Sequence, residues 1–315
     1  MSPASPLAAL SALLAFALAA CGGAQEQARA RLMPDGPRVV HDVEPTELFP
    51  ADLDLVVRLD VGRMRAGIGP AAADELSRRA LQGAGEKELS EALACADVVW
   101  VATRAADVEA GDRVIVIEGK SCMPDLTRGQ WEKVRSANGR MAIFDRKGEA
   151  PRSGTARIVN LNNRATVFVS PVELDSVKRV LDAGPDEKRG NPTAEGLVSV
   201  DVRARALPPG LAKRYPAIAA VLGGIERIKG SAVLADDGLR IDAQVLGKAA
   251  EGAEKAARFL SAMRDSLLEG RLGEAAKGAK IELVERTVQV KLTVPAKLLL
   301  AAVSASAVGA EEKGK

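Results

Sequence analysis

Apolar residues recur along this chain in short runs set at strand and helix periods, and the order of those runs is written twice. The first half opens at Leu53–Val61, a β-branched run that predicts a buried strand. Helical stretches follow between Ala71 and Ala94, with Leu76, Ala80, Leu81, Leu89 and Leu93 on their apolar side. Two strands come next, Asp97–Thr103 and Arg113–Glu118, joined by a polar loop containing Gly111. The spacing of Leu126, Trp131 and Val134 predicts a short helix over Asp125–Val134. Strands at Met141–Phe144, Ala156–Leu161 and Ala165–Val169 then lead into a helix, Pro171–Leu181, with proline in a tolerated first-turn position.

The second half repeats that order. Leu197–Val202 is its opening strand. Leu211–Leu222 is a helical stretch interrupted by Pro216 and stopped at Gly223-Gly224. Strands Ile225–Leu234 and Leu239–Val245 flank Asp236-Asp237-Gly238, a strong hairpin signal. A longer helix over Ala249–Leu268 aligns Ala253, Ala256, Ala257, Leu260, Met263 and Leu267 on one face. Strands Lys280–Val284 and Thr287–Val294 precede Pro295 and a last helix.

The ends of the halves match in kind: the segment from Asn162 and the segment from Val284 each give a polar turn, an alternating strand, a proline and a helix. Asp60 and Asp201 close the two opening strands, each followed by Val and then basic residues. The expectation is α+β: two tandem related modules, each a mainly antiparallel sheet with helices packed on one face. Chance similarity of hydrophobic pattern is the alternative. The boundaries follow as 51–184 for the first module, 185–195 for a linker, 196–308 for the second module and 309–315 for a disordered tail.

Ahead of the body, Leu7–Ala20 is an uncharged run of Leu and Ala with Phe16, too short for a relaxed bilayer span of about 20 residues but suited to the apolar region of a signal peptide. It closes on Leu18, Ala19, Ala20 and Cys21, then Gly22 and Gly23. This resembles the lipobox of bacterial lipoproteins, in which the cysteine is lipidated and the chain is cleaved just before it. An ordinary signal peptide or a buried helix is the alternative. The resemblance implies a signal peptide over 1–20, acylation of Cys21 (palmitate included) and a membrane attachment made by the acyl chains alone. Each buried methylene adds about 0.8 kcal/mol to such an anchor. Gly22 after the lipidated cysteine, rather than Asp, implies the outer membrane. The body is then expected in the periplasm, part of the cell envelope. Residues 21–50, rich in Gly, Pro, Gln, Arg and Glu, read as a flexible tether with a reach of about 30 Å. The body also resembles a group of exported bacterial proteins of unknown function that open with a Pro-Ala-Asp strand, here Pro50-Ala51-Asp52, and that resemblance implies no activity.

Composition narrows the roles. Lys and Arg number 44 against 42 Asp and Glu among 315 residues, so no basic excess points to a nucleic-acid partner. Aromatic residues are 3% of the chain, too few for base-stacking or sugar-stacking platforms. Cys95 and Cys122 are the remaining cysteines, and outside the cytoplasm paired thiols oxidise. A hairpin of Asp97–Thr103 and Arg113–Glu118 centred on its loop sets Val101 opposite Val116. Carried outward, that register sets Cys95 opposite Cys122, within disulfide reach. Two separate buried thiols are the alternative.

Other chemistry is thin. His41 is the sole histidine and lies in the tether, so histidine-based catalysis or a metal site has little to draw on. Gly67-Ile68-Gly69-Pro70-Ala71-Ala72 mimics a dinucleotide-binding loop, but it is six residues past the strand and lacks a counterpart in the second half. No cofactor or metal is expected. The carboxylate pairs Asp52/Asp54, Asp236/Asp237 and Glu311/Glu312 read as strand lead-in, turn and tail. Asp60 and Asp201 are expected to cap the stretches after them. Arg203, Arg205, Lys213 and Arg214, matched by Arg63 and Arg65, read as a solvated basic face. The expected function is a non-catalytic cell-envelope lipoprotein acting through contacts with another envelope protein. The alternative is a carrier or sensor of an apolar ligand such as lipid, which calls for an apolar cavity of at least about 300 Å³. An enzyme of unrecognised type is the third possibility.

Overall fold

The computed structural model describes residues 45–295 apart from 52, 72, 75–76, 78–85, 105–111, 121, 128, 138–140, 153, 162–163, 184–195, 204–208 and 270–272, together with residue 298. Leu18, Ala19, Ala20, Cys21, His41, Asp52, Arg205, Glu311, Glu312 and the helix expected after Pro295 lie outside the described residues. The chain is α+β and divides into two compact units, the first ending at Pro192 and the second beginning at Thr193.

The first unit contains β1 (Leu55–Asp60), α1 (Val61–Ile68), α2 (Lys87–Ala94), β2 (Val98–Thr103), β3 (Arg113–Glu118), β4 (Trp131–Ala137), β5 (Met141–Arg146), β6 (Arg157–Leu161), β7 (Ala165–Val169) and α3 (Leu174–Ala183). Its strands lie in the order β1-β2-β3-β7-β6-β5-β4, every pair antiparallel. One side of this sheet presents Val56, Trp100, Val116, Val159 and Val167 to Val177, Val180 and Leu181 of α3. Those three stand at helical spacing, so one stripe of α3 meets the sheet. Leu55, Val57, Leu59, Ile115, Ile117 and Phe168 point the opposite way and are buried as well.

The second unit contains β8 (Val198–Val202), α4 (Pro209–Arg214), α5 (Pro216–Gly223), β9 (Ile225–Ala235), β10 (Gly238–Gly247), α6 (Ala250–Leu267), α7 (Gly273–Gly278), β11 (Lys280–Val284) and β12 (Thr287–Pro295). The order is β8-β9-β10-β12-β11, again antiparallel throughout. Its core is small: Ile225, Val245 and Val288 of the sheet against Ala253 and Ala256 of α6.

Four expectations change. The helix expected over Asp125–Val134 is absent; Trp131–Ala137 is strand β4, paired with β5. Gly129 has φ +97°, a left-handed conformation that a helix cannot carry through, and Trp131 packs under Arg146 of the neighbouring strand. The opening strand ends at Asp60 rather than Val61, because Asp60 accepts the Arg63 amide at 2.9 Å and starts α1 there. Residues 45–50, read as the end of the tether, are folded: Pro45–Leu48 is a 3-10 turn, and Leu48 and Phe49 bury in the first core. Helices on one face describe the second unit, whereas the first sheet is buried on both.

Candidate functional site

The polar residues that stand out in the sequence are mostly occupied in holding the fold. Asp60 caps α1 and also takes a 2.9 Å ion pair from Arg58, whose guanidinium lies 5.6 Å from the Trp100 ring. Trp100 Nε1 in turn donates to Glu118 at 2.6 Å. Asp201 does not cap. It sits inside the β8–β9 ladder opposite Lys229, and its carboxylate receives Arg227 through Nε at 2.8 Å and Nη2 at 2.5 Å. That bidentate bond raises the Arg227 pKa above the ordinary guanidinium value, offset in part by desolvation. Asp60 is the last residue of β1 and α1 starts right after it, whereas Val202 after Asp201 is still paired with Ile228, so no helix starts at this position.

The basic residues are divided in the same way. Arg65 donates to Asp74 and to the carbonyls of Leu93, Ala94 and Ala96, closing the C-terminal end of α2 where a cation is favoured. Arg203 Nη2 lies 3.8 Å from Asp201, while Lys213 and Arg214 are exposed. The glycine loop is also structural: Gly67 and Ile68 finish α1, and Gly69 stops it at φ +85°. Asp236 and Asp237 form the two-residue turn between β9 and β10.

Cys95 and Cys122 are a disulfide-distance pair, with Cα atoms 5.4 Å apart. The register that suggested them is wrong by one residue. Val101 faces Ile115, and Val116 faces Trp100. The two thiols meet because neither lies on that ladder: Cys95 ends α2, and Cys122 follows the turn after β3. Gly119 makes room for them. A Cβ there would stand 2.6 Å from the Cys95 carbonyl oxygen and 2.7 Å from Cys122 Sγ.

Sequence reading missed three further groups. Glu173, fully buried, takes both Nη atoms of Arg104 and the Ser176 hydroxyl at 2.8 Å. Glu86 receives the Thr155 amide at 2.8 Å and Arg146 at 3.2 Å. Asp112, buried, pairs with Arg152 at 3.2 Å. Apart from Ser176, these partners stand tens of residues apart, and no local spacing announces them. A groove of about 370 Å³ is lined by Lys87, Glu88, Glu91, Asp125, Gly129 and Gln130. Its charge is committed, since Glu88 accepts Trp131 Nε1 at 2.9 Å and Lys87 lies 3.4 Å from Glu91.

A partly exposed apolar face lies in the second unit. The alternation of β9, β10, β11 and β12 sends Ile228, Leu234, Leu239, Ile241, Val245, Val288, Leu292, Ile281 and Leu283 to one side. Lys229, Arg240, Asp242, Lys291 and Glu282 go to the other. Helix α6 covers the apolar side at Val245 and Val288 through Ala253 and Ala256, and Gly252 lets it approach Gly224 closely. Cover then thins. Ile241 and Leu292 are half-buried, Leu234 is 37% exposed, and Leu283 is 42% exposed. Phe259, Leu260, Met263 and Leu267 of α6 are half-buried, and Leu260 packs against the core of Ile225, Val245 and Val288. Apolar side chains are thus left partly open to water along this side of the sheet.

No helix among the described residues is long and apolar enough to cross a membrane. No family model matches the chain, and no curated protein matches it. Among solved structures, crystal form I of TP0453 is similar at 13% identity, covering 84% of this chain and 97% of that one with a TM-score of 0.49. Crystal form III of TP0453 is similar at 12% identity, covering 84% and 98%, with a TM-score of 0.48.

Proposed function

We propose that this chain is a non-catalytic lipoprotein of the bacterial cell envelope, held in the outer membrane through lipid on Cys21, with its body in the periplasm acting by contact with another envelope protein. The observation that carries the contact role is the half-covered apolar face of the second unit, bordered by Leu234, Ile241 and Leu292. Of the charged side chains singled out in the sequence, Asp60, Asp201 and Arg65 are engaged in a cap, ion pairs and carbonyl contacts that hold the fold. The carrier reading ranks second because the 370 Å³ groove is lined by charged and polar groups rather than apolar ones.

A tandem duplication underlies this body. Its support is the shared strand order: β1-β2-β3-β7-β6 in the first unit runs as β8-β9-β10-β12-β11 in the second. The first unit carries the β4–β5 hairpin where the second carries α6 and α7.

The address and the role are tested together in a bacterial host. A palmitate analogue fed to cells producing the full chain should label it, and Cys21→Ala should abolish the label and release the protein from membranes. Crosslinking in intact cells should join the wild type to one envelope protein, and Leu234→Asp with Leu292→Asp should remove that adduct. An unlabelled wild type sinks the address; an adduct indifferent to both aspartates sinks the surface. Native mass spectra showing bound lipid in place of a protein adduct would favour the carrier reading.

A further inference from the structure

Among the described residues β4 ends the strand order of the first unit and β11 that of the second, and the two are built differently. In the first unit, β4 carries Glu132 and Lys133, and its ladder slips between Lys133 and Arg135. Bulges and charges of this sort blunt an edge against further pairing. In the second unit, β11 reads Lys280-Ile281-Glu282-Leu283-Val284 and runs against β12 for five residues with no slip. No described strand pairs with its outer edge, and its side chains are open: Lys280 and Glu282 are exposed, and Leu283 and Val284 are 42% and 50% exposed.

We propose that β11 pairs antiparallel with β11 of a second copy of this chain, about a two-fold axis at Ile281. Two-fold strand pairs are self-complementary by construction, and an unblunted edge is the template for them. Charge selects the register. With Ile281 facing its own copy, Lys280 faces Glu282 of the second chain and Glu282 faces its Lys280, giving two opposite-charge pairs on the charged side. On the apolar side Leu283 then faces Ala279, continuing the strip of Ile281 and Leu283 across the seam. Moving the axis by one residue to Glu282 would set two glutamates face to face, a destabilising arrangement. The same charges reject most other strands, which lack the complementary order.

A strand pair of this length is small, and the dimer draws on α6 as well. That helix packs over β10, β11 and β12. Leu260 of α6 and Ile281 of β11 pack against the same small core, so extending the sheet through β11 brings α6 of each copy toward the seam and enlarges the apolar area removed from water. The inference deepens the contact role by naming a second copy as one partner, yet it does not depend on the lipid address or on an envelope partner.

Full chain purified in detergent from producing cells should sediment as a dimer. Lys280→Glu and Glu282→Lys, both at exposed positions that leave the fold intact, should each weaken it by about tenfold, since each turns two attractive cross-strand pairs repulsive. Combining the two substitutions should restore it. Ile281→Cys should crosslink to itself under mild oxidation in membranes, and Glu282→Cys should not. A monomer at every concentration, a dimer unmoved by either charge reversal, or crosslinking through Glu282→Cys alone would overturn the proposal. Cys21→Ala separates it from the address, because the β11 dimer should survive when the lipid anchor is lost.

Discussion

The first sheet is buried on both sides and the second on one, although the two share a strand order. In the first unit every residue of β1 and β7 is buried. In the second, Val288 and Val294 are the buried residues of β12, and β11 has none. The difference tracks the strand sequences. Leu55–Asp60, Arg113–Glu118 and Ala165–Val169 are nearly continuous apolar runs, which fit a sheet covered above and below. Gly238–Gly247 and Thr287–Pro295 alternate, which leaves one face for water. Similar strand orders thus carry different cover: the first unit buries the strands at its centre on both sides, and the second leaves apolar side chains half-exposed.

The largest expected effect tests that contrast directly. Ile117→Ala, at a fully buried site of the first sheet, should cost about 3–4 kcal/mol, because the lost side chain leaves a cavity as well as lost transfer energy. Ile241→Ala, half-buried on the second sheet, should cost about 1 kcal/mol, since much of its surface already meets solvent. Urea unfolding followed by amide exchange in each unit reads both values. Equal losses would mean that the second unit is as tightly packed as the first.

The Cys95–Cys122 pair comes next, because the second unit has no cysteine to match it. A bond closing that loop should stabilise the first unit by about 3 kcal/mol in the loop-entropy account. Replacing both cysteines with serine should therefore lower the urea midpoint of the first unit under oxidising conditions and change nothing when reductant is present. Gly119→Ala should show the same unit-specific weakness, through its clash with Cys95 and Cys122.

The smallest effect belongs to α6, the cover of the second sheet. Lys255, one turn on at 2.7 Å, holds Glu251 below the ordinary carboxylate range. A depressed carboxylate stabilises the fold above its unfolded pKa, and that contribution fades as pH falls through the lowered folded value. The pair is exposed and screened by salt. Amide protection along α6, taken relative to the intrinsic exchange rate at each pH, should fall slightly on acidification below the carboxylate range, and Lys255→Gln should remove most of that pH dependence.

Much of this was legible in the chain. Hydrophobic alternation marked most of the strands, and Asp236-Asp237-Gly238 marked the hairpin between β9 and β10. The spacing of Ala253, Ala256 and Leu260 marked the buried stripe of α6. The stretch from Leu126 to Val134 misled, because Trp131 and Val134 stand at a helical interval while the backbone after Gly129 is committed to pairing with β5. The cysteine pair was found through a hairpin register that proved one residue off, since a loop's length does not fix how its strands are centred. The apolar border at Leu234, Ile241 and Leu292 was invisible because strand alternation says which side is apolar, not how far a helix will extend over it.

What the sequence determined by itself was local: periodicity, turns and the Asp60 cap, all set by residues within a few positions of one another. Tertiary structure alone decided which distant charges meet, as in Arg104 with Glu173 and Arg227 with Asp201, and how much of the second sheet α6 leaves bare. Those depend on the crossing of elements that lie tens of residues apart, and short-range patterns carry no information about such distances.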